Sequence, residues 1–524
     1  MTAPRFSVIT PVYNTQRRHL EECISSVLAQ SFQDWELCLV DDHSSSRDVR
    51  STLERAGKLD PRIRIKYRSV NGGIVAASND ALSMATGEFV VLLDHDDVIE
   101  PDALERVNAT LKSDPEIDYV YSDETTISST GRVDQRFYKP DWSPERFRHQ
   151  MYVCHLSTIR RTVIEAVGGF REGFDGSQDY ELIFRVMDEV RKIGHVRELL
   201  YHWRMTNTSV ANNAAAKPYA YEAGKRAIES HLLRSGIGGR VTQLENVPGN
   251  YKTLRQPSSP WSVDVLVPLT DLHSDVWGVP RNHRETTLSS LQSTAHPDWS
   301  ICPIDGMQHR ASELNREISR STADVIVLVS PAIEPLDNGW SLGLVEPLSD
   351  PSIGIVSGIT YTANGRLEHA GFHLNRSFVE RPYHRLPLTD WGPKAVLGTV
   401  YEVSAIDWQC MAIKRAVFEH LGGFDEELEH PWTVIDFCLR ASLAGFSTVV
   451  NPWAKFFEFS NNDDFARPRF RAPKSFRQKW AGVFVNDPYR PTRPLRGSPE
   501  SQRPFWQPQT FRDVTKSRRF ASRD

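Results

Sequence analysis

Two clusters of acids stand where short apolar runs end. Asp94, Asp96 and Asp97 follow GEFVVLL in an Asp-His-Asp-Asp string, and Asp41 and Asp42 follow WELCLV. Carboxylate oxygens are hard donors suited to Mg2+ or Mn2+. Aspartate is also a poor strand residue, so two acid-tipped strands point to a cation site. A bare DxD string is common by chance, and its place directly after a buried-strand pattern is what gives it weight. The bland alternative for residues 94–97 is a solvated strand-end loop.

The elements that must position these acids alternate cleanly over the first 120 residues. FSVITPV, WELCLVDD, RIRIKY, EFVVLLDHDD and IDYVYSDE read as strands, the continuous apolar ones as strands covered on both faces. Helical spacing separates them, as in Leu20, Cys23, Ile24, Val27 and Leu28, or Leu104, Val107 and Leu111. Such alternation predicts an α/β fold with a Rossmann-like, mainly parallel sheet and right-handed crossovers. Ligands bind such sheets at the carboxyl ends of the strands, which puts both acid clusters on one edge.

The order then repeats. VPGNYKTLRQPSSPW reads as a linker, and after it come VDVLVPL, WSICPID and ADVIVLVS with helical stretches between them. GGF at 168–170 leads to YELIFR, and GGF at 422–424 leads to IDFCLR, which marks an internal duplication of a large domain. The expected division is a catalytic domain at 1–245, a linker at 246–261, a second domain at 262–465, and a basic, irregular tail rich in Pro and aromatics at 466–524.

Composition narrows the class. The chain has 524 residues, 40% hydrophobic and 25% charged, with a net charge of −5. This is a multidomain globular protein and no nucleic-acid binder by charge. No apolar run reaches the ~18 residues of a membrane span. MTAPRFSVIT enters a strand pattern with no secretory h-region, and the six cysteines show no framework or CxxC pair. The expected compartment is the cytoplasm.

FSVITPVYN, LVDDHS, NGGIVAASNDAL, GEFVVLLDHDD, YSDE and GFDGSQDYEL together resemble the family 2 glycosyltransferases. YKPDWSPE, YHWR and KPYAYEAGKRA are similar to its rhamnosyltransferase-like branch, which builds O-antigens and other cell-surface polysaccharides. The resemblance covers roughly residues 5–250 and implies a GT-A fold and inverting transfer from a nucleoside-diphosphate sugar. In that reaction a divalent metal neutralises the departing diphosphate, so one carboxylate base suffices where glycosidases need a pair.

The resemblance also implies roles. Pro11 and Tyr13 would contact the donor's base, and Asp42 would accept from the pyrimidine N–H with Asp41 beside it. Asp94, Asp96 and Asp97 would hold the ribose and the metal–diphosphate. Asp179 matches the catalytic base, His202 a further metal ligand, and Arg204 would touch phosphate. Each has a plainer alternative: Asp179 as a helix N-terminal acid, His202 as packing beside Tyr201 and Trp203, Tyr13 as core. Asp123 and Glu124 face the acceptor or end a strand in solvent. Ser78 stands where many members have an arginine, so another basic residue must serve the diphosphate.

The second domain resembles the same family without its acids. Aligning EFVVLLDHDD on DVIVLVSPAI sets Ser330, Pro331, Ala332 and Ile333 against residues 94–97; Thr433 and Val434 stand near the base position, and Asp436 matches Glu181. Asp305 survives and leaves weak nucleoside binding open. A degenerate domain that binds acceptor glycan, supports its neighbour or dimerises is the expectation. The partners implied are a nucleotide-sugar donor and a glycan or lipid-linked acceptor, with peripheral contact to the inner membrane face and a homodimer through the second domain as further expectations. One rival, a sugar nucleotidyltransferase, needs a glycine-rich basic loop where TPVYNTQRRHL has no glycine. The other, a non-catalytic glycan-binding scaffold, suits the second half and not the first.

Overall fold

The computed structural model describes residues 3–205, 218–257, 260–306, 311–459, 467–491 and 511. The chain forms two compact units, one built on Met1–Trp142 and Met151–His231, the other on Ser143–Gln150 and Leu232–Arg490.

The first unit carries β1 (Phe6–Val12), β2 (Trp35–Asp41), β3 (Ile63–Tyr67), β4 (Phe89–Leu92), β5 (Val98–Ile99), β6 (Ile117–Ser128), β7 (Val133–Phe137), β8 (Thr158–Arg160) and β9 (Lys192–Met205). They lie in the order β3-β2-β1-β4-β8-β6-β9-β5, with β7 on β6. β3, β2, β1 and β4 are parallel, β8 is antiparallel to both neighbours, and β6 and β9 are parallel again. Phe6, Val8, Leu37, Leu39, Phe89 and Val91 are buried in a core with Leu20, Ile24 and Val27 of the Arg17–Leu28 helix. That interleaving is why uninterrupted apolar runs became strands here. β1 pairs with β4 only as far as Ile9↔Leu92. Pro11, which has no N–H to give, therefore sits past the end of that ladder, where the chain after β4 turns into the acid loop.

The second unit repeats the order. Ser300–Ile304, Val263–Pro268, Val325–Val329, Cys410–Lys414, Ile353–Thr362, Ser447–Glu458 and Ile333–Pro335 neighbour one another in that sequence, and Leu367–His369 pairs with Ile353–Thr362. Each of these pairings has the sense of its counterpart in the first unit, and Tyr401–Glu402 adds an antiparallel pairing on Ser447–Glu458 that the first sheet lacks among the described residues. The one element of the first sheet without a counterpart among the described residues is β3. Only a short connection runs from Ile304 to the Ala311–Arg320 helix, where the first unit runs from Asp41 through a helix and a strand to Gly73.

The shared GGF signature has a structural cause. Asn79 holds Phe170 by its backbone N–H and C=O at 2.9 Å each, and Asn315 holds Phe424 the same way. Gly169 and Gly423 take φ of +68° and +77°, and a Cβ on either would meet that asparagine at 2.8 Å. Arg185 then clamps the carbonyls of Val167 and Gly169 while paired with Glu181; Arg440 clamps Leu421 and Gly423 while paired with Asp436.

The expected boundaries shift. Tyr251–Arg255, inside the expected linker, is a strand paired with Gly239–Gln243. Residues 143–150 cluster with the second unit, where Glu145 N–H donates to Glu402 and Arg148 pairs with Asp350 at 2.6 Å. Of the expected irregular tail, 467–491 holds the strand Arg469–Arg471 and two short helices, and Phe511 is buried in the first core; the rest lies outside the described residues. Among those residues no helix is long and apolar enough to cross a membrane.

Candidate active site

The acid loop leaves β4 and turns back at once, with Asp97 N–H donating to the Asp94 carbonyl at 3.2 Å. Asp97 is fully buried. Its carboxylate accepts from the Tyr201 hydroxyl and from Arg204 N–H, both at 2.6 Å. Beneath the loop, the Cys23 thiol meets the Asp94 carbonyl at 3.4 Å. Arg204, wholly buried, pairs with Glu22 at 2.7 Å and donates from Nε to the Asp96 carbonyl at 2.6 Å.

Asp94, Asp97 and His155 each bring one ligand atom within 4.8 Å of the others. Two carboxylates and an imidazole are a donor set that fits a divalent cation. Their electrostatics agree: burial first, then Asp96 and Asp94, pushes Asp97 well above the usual carboxylate range. Burial likewise raises Asp94, with Asp96 adding to it and His155 opposing. A third acid joins them. Asp179 lies in the first turn of the Gln178–Glu189 helix, accepts from Tyr180 N–H at 2.8 Å and faces the Cys154 thiol at 3.8 Å. Burial raises it too, against Tyr180 N–H and His155. Carboxylates held up in this way gain most from a nearby cation.

His155 is fixed from behind. Its Nδ1 lies 3.1 Å from Glu124, its ring stacks on Tyr201 with centroids 4.0 Å apart, and Lys139 holds Glu124 at 2.8 Å. Burial alone would raise Glu124, but Lys139 and His155 outweigh it and hold its pKa at about 2.

On the other side of the β1 end, Tyr13 is 48% exposed. Asn14 bonds the backbone of Ser45 and Ser46, tying the loops after β1 and β2 together. Asp41 accepts from Ser44 N–H at 3.0 Å. Asp42 is buried, accepts from Asn71 Nδ2, Gly72 N–H and Gly73 N–H at 2.8–3.0 Å, and pairs with Arg68 at 2.9 Å.

The structure thus gathers Asp94, Asp97 and Asp179, with Asp96 close enough to act on the first two. It departs from several sequence expectations. His202 is buried with Nδ1 2.7 Å from Thr125 and Nε2 2.9 Å from Glu100, so both nitrogens face protein groups away from the acid cluster. Arg204 is a buried strut for the loop and is not presented to a phosphate. Asp42 is committed to its own turn in this state. Asp123 and Glu124 are buried and not solvated: Asp123 accepts from Lys139 N–H at 2.8 Å and faces His195 at 3.0 Å. Sequence reasoning missed His155 and Lys139, whose only local signals were one histidine before STIR and one lysine in YKPDW.

In the second unit the corresponding place is filled with apolar groups. By strand register Ser330 falls opposite Asp94, but Ile333 opens a strand as Val98 does, so the loop is one residue shorter than the sequence alignment gave. A hairpin, His273–Val276 with Val279–Asn282, occupies the connection that in the first unit passes directly from Val12 to Arg17. Its Val276 is buried with Ala332 and Phe459. Trp277 packs edge-on against Phe457 and Phe459, both at 5.5 Å, and donates its N–H to the Ala363 carbonyl. Asp305, the surviving acid, pairs with Arg284.

Residues 7–168 match the family model of glycosyl transferase family 2. The protein y4gI of Sinorhizobium fredii is 32% identical over 94% of this chain and 58% of its own length. The O-antigen biosynthesis protein RfbC of Myxococcus xanthus is 30% identical over 85% of this chain and 36% of its own length. The chain therefore spans between about a third and three fifths of these relatives. Among solved structures, S. aureus TarS 1–349 in complex with UDP-GlcNAc is 23% identical over 44% of this chain and 66% of that chain, with a TM-score of 0.37.

Proposed function

Taking as premise that this chain belongs to glycosyl transferase family 2 through residues 7–168, we propose that its first unit moves a sugar from a nucleoside diphosphate to a glycan hydroxyl with inversion. The observation that carries the reading is the meeting of Asp94, Asp97 and His155 with Asp179 at the carboxyl edge of that sheet. A bound Mg2+ or Mn2+ supplies positive charge against the leaving diphosphate. Asp94 and Asp97 hold that place, Asp96 lines its rim, and Arg204 and Tyr201 keep the loop in shape. Tyr13, Pro11 and the Asp41–Asp42 loop form the side on which the nucleoside lies. Asp179 accepts the proton of the acceptor hydroxyl as its oxygen attacks the anomeric carbon, and its raised pKa makes it a stronger base than an ordinary carboxylate. The O-antigen relative supports a surface polysaccharide as the product; a lipid-linked or polymeric acceptor at the cytoplasmic membrane face, and rhamnose as one donor to test, are part of the same proposal.

The plug of Val276 and Trp277 favours a non-catalytic role for the second unit, as support, glycan platform or dimer contact. The test is a donor screen with Mn2+: dTDP-rhamnose, UDP-hexoses and GDP-sugars against wild type, Asp94→Ala and Asp179→Asn. The reading expects one donor whose binding needs Asp94 and whose turnover needs Asp179. Binding of no donor, or binding indifferent to Asp94, overturns it.

A further inference from the structure

Lys139 is a fully buried ammonium. It donates to Glu124 at 2.8 Å, to the Val153 carbonyl at 2.8 Å and to the His155 carbonyl at 2.7 Å. Its three N–H bonds thus join a carboxylate on β6 to the chain just before β8. Burying such a charge is costly unless it is fully paired, so the tripod is an expensive way merely to connect two strands. Its second product is more specific. Glu124 faces Nδ1 of His155 at 3.1 Å. A carboxylate there accepts a hydrogen bond from Nδ1–H and leaves Nε2 as the lone-pair nitrogen. The Tyr201 ring, stacked 6° from coplanar, prevents the imidazole from turning away. His155 belongs to the group that also holds Asp94 and Asp97, and its Nε2 lies 3.4 Å from the Cys154 sulfur, which itself faces Asp179 at 3.8 Å.

We propose that Lys139 and Glu124 are positioning residues that fix His155 as the nitrogen ligand of the cation site, beside the carboxylates of Asp94 and Asp97. This rests on the transferase reading for the purpose of the cation and not for its place.

The experiment is a Mn2+ titration of the full chain by EPR, with nitrogen couplings read by ESEEM. Wild type should show imidazole-nitrogen coupling to Mn2+, lost in His155→Gln and kept in His202→Gln. Glu124→Gln, nearly isosteric, should weaken Mn2+ on the order of 10–100-fold, as changes behind a metal-bound histidine do. Lys139→Met should do the same where circular dichroism shows it folded; Glu124→Gln carries the test if it is not. No nitrogen coupling, coupling that survives His155→Gln, or wild-type Mn2+ affinity in folded Glu124→Gln overturns the proposal. Donor hydrolysis in the same samples separates the two readings. Hydrolysis without nitrogen coupling sinks the relay alone, and coupling without donor binding sinks the transferase reading and leaves the relay supported.

Discussion

The two units share a strand order, an asparagine clasp and an arginine clamp, yet among the described residues only the first gathers a group of acids and a histidine that could hold a cation. What the copies have kept is scaffold: Asn79 and Asn315 on the two GGF turns, Arg185 and Arg440 on the carbonyls around them. What they do not share is the site: the positions of Asp94, Asp97 and Asp179 correspond in the second unit to Ser330, a shortened loop and Val434, and a hairpin there buries Val276 beside Ala332 and Phe459. Core and site answer to different forces, so a sheet can outlive its chemistry.

The largest expected effect breaks the comparison on the active side. Asp179→Asn removes the proposed proton acceptor and should lower turnover by about 10²–10⁴-fold with donor binding retained, read by single-turnover hydrolysis. Changing Val434 to Ala, its positional counterpart, should leave turnover within about twofold by the same assay, because a buried valine side chain offers no proton acceptor.

Next come the clamps. Arg185→Ala leaves the buried Glu181 with the half-exposed Arg171 at 3.4 Å and should cost about 3–5 kcal/mol in urea unfolding. Arg440→Ala should cost less, because Asp436 keeps Lys479 at 2.8 Å and the Trp480 N–H at 2.9 Å. Equal costs would show that the two clamps are more alike than their partners.

These clamps also show what the sequence carried. GGF and the later arginine were visible as a repeat, because a turn that admits only glycine leaves a fixed local signature. GEFVVLLDHDD was visible because a buried strand and its acid tip are contiguous. His155 was not, because its role comes from β8 lying between β4 and β6, a long-range pairing with no local trace. His202 misled for a related reason. β9 alternates, Tyr201 faces the acid loop, and the parity that turns His202 to Thr125 and Glu100 is set by register. The linker expectation failed because VPGNYKTLR carries turn residues beside a strand, and Pro and Gly mark turns as readily as linkers.

The smallest expected effect is a pH dependence of the same sense in the two units, which a cation offsets only in the first. In the second, burial and the neighbouring Glu145 raise Glu402 to about 7. A carboxyl with a raised folded pKa stabilises below its ordinary range of about 4.3 and loses that contribution as pH rises toward 7. The second unit should therefore melt higher at pH 5 than at pH 8, and Glu402→Gln should flatten the difference. In the first unit Asp94, Asp97 and Asp179 are raised in the same sense, but Mn2+ at about 100 times its Kd should return about 2.7 kcal/mol at pH 7.5. A Mn2+-induced rise in melting confined to the first unit, absent in Asp94→Ala, would sharpen the contrast; a rise in both units would break it.

The most direct test of the central claim, that one unit of this pair holds the chemistry, is hydrogen exchange of the full chain with and without Mn2+ plus UDP or dTDP. The account predicts protection in segments 11–14, 41–44, 94–97 and 153–156, with 269–282 and 330–333 unchanged. Protection in the second unit's hairpin, or none in the acid loop with either nucleotide, would contradict it.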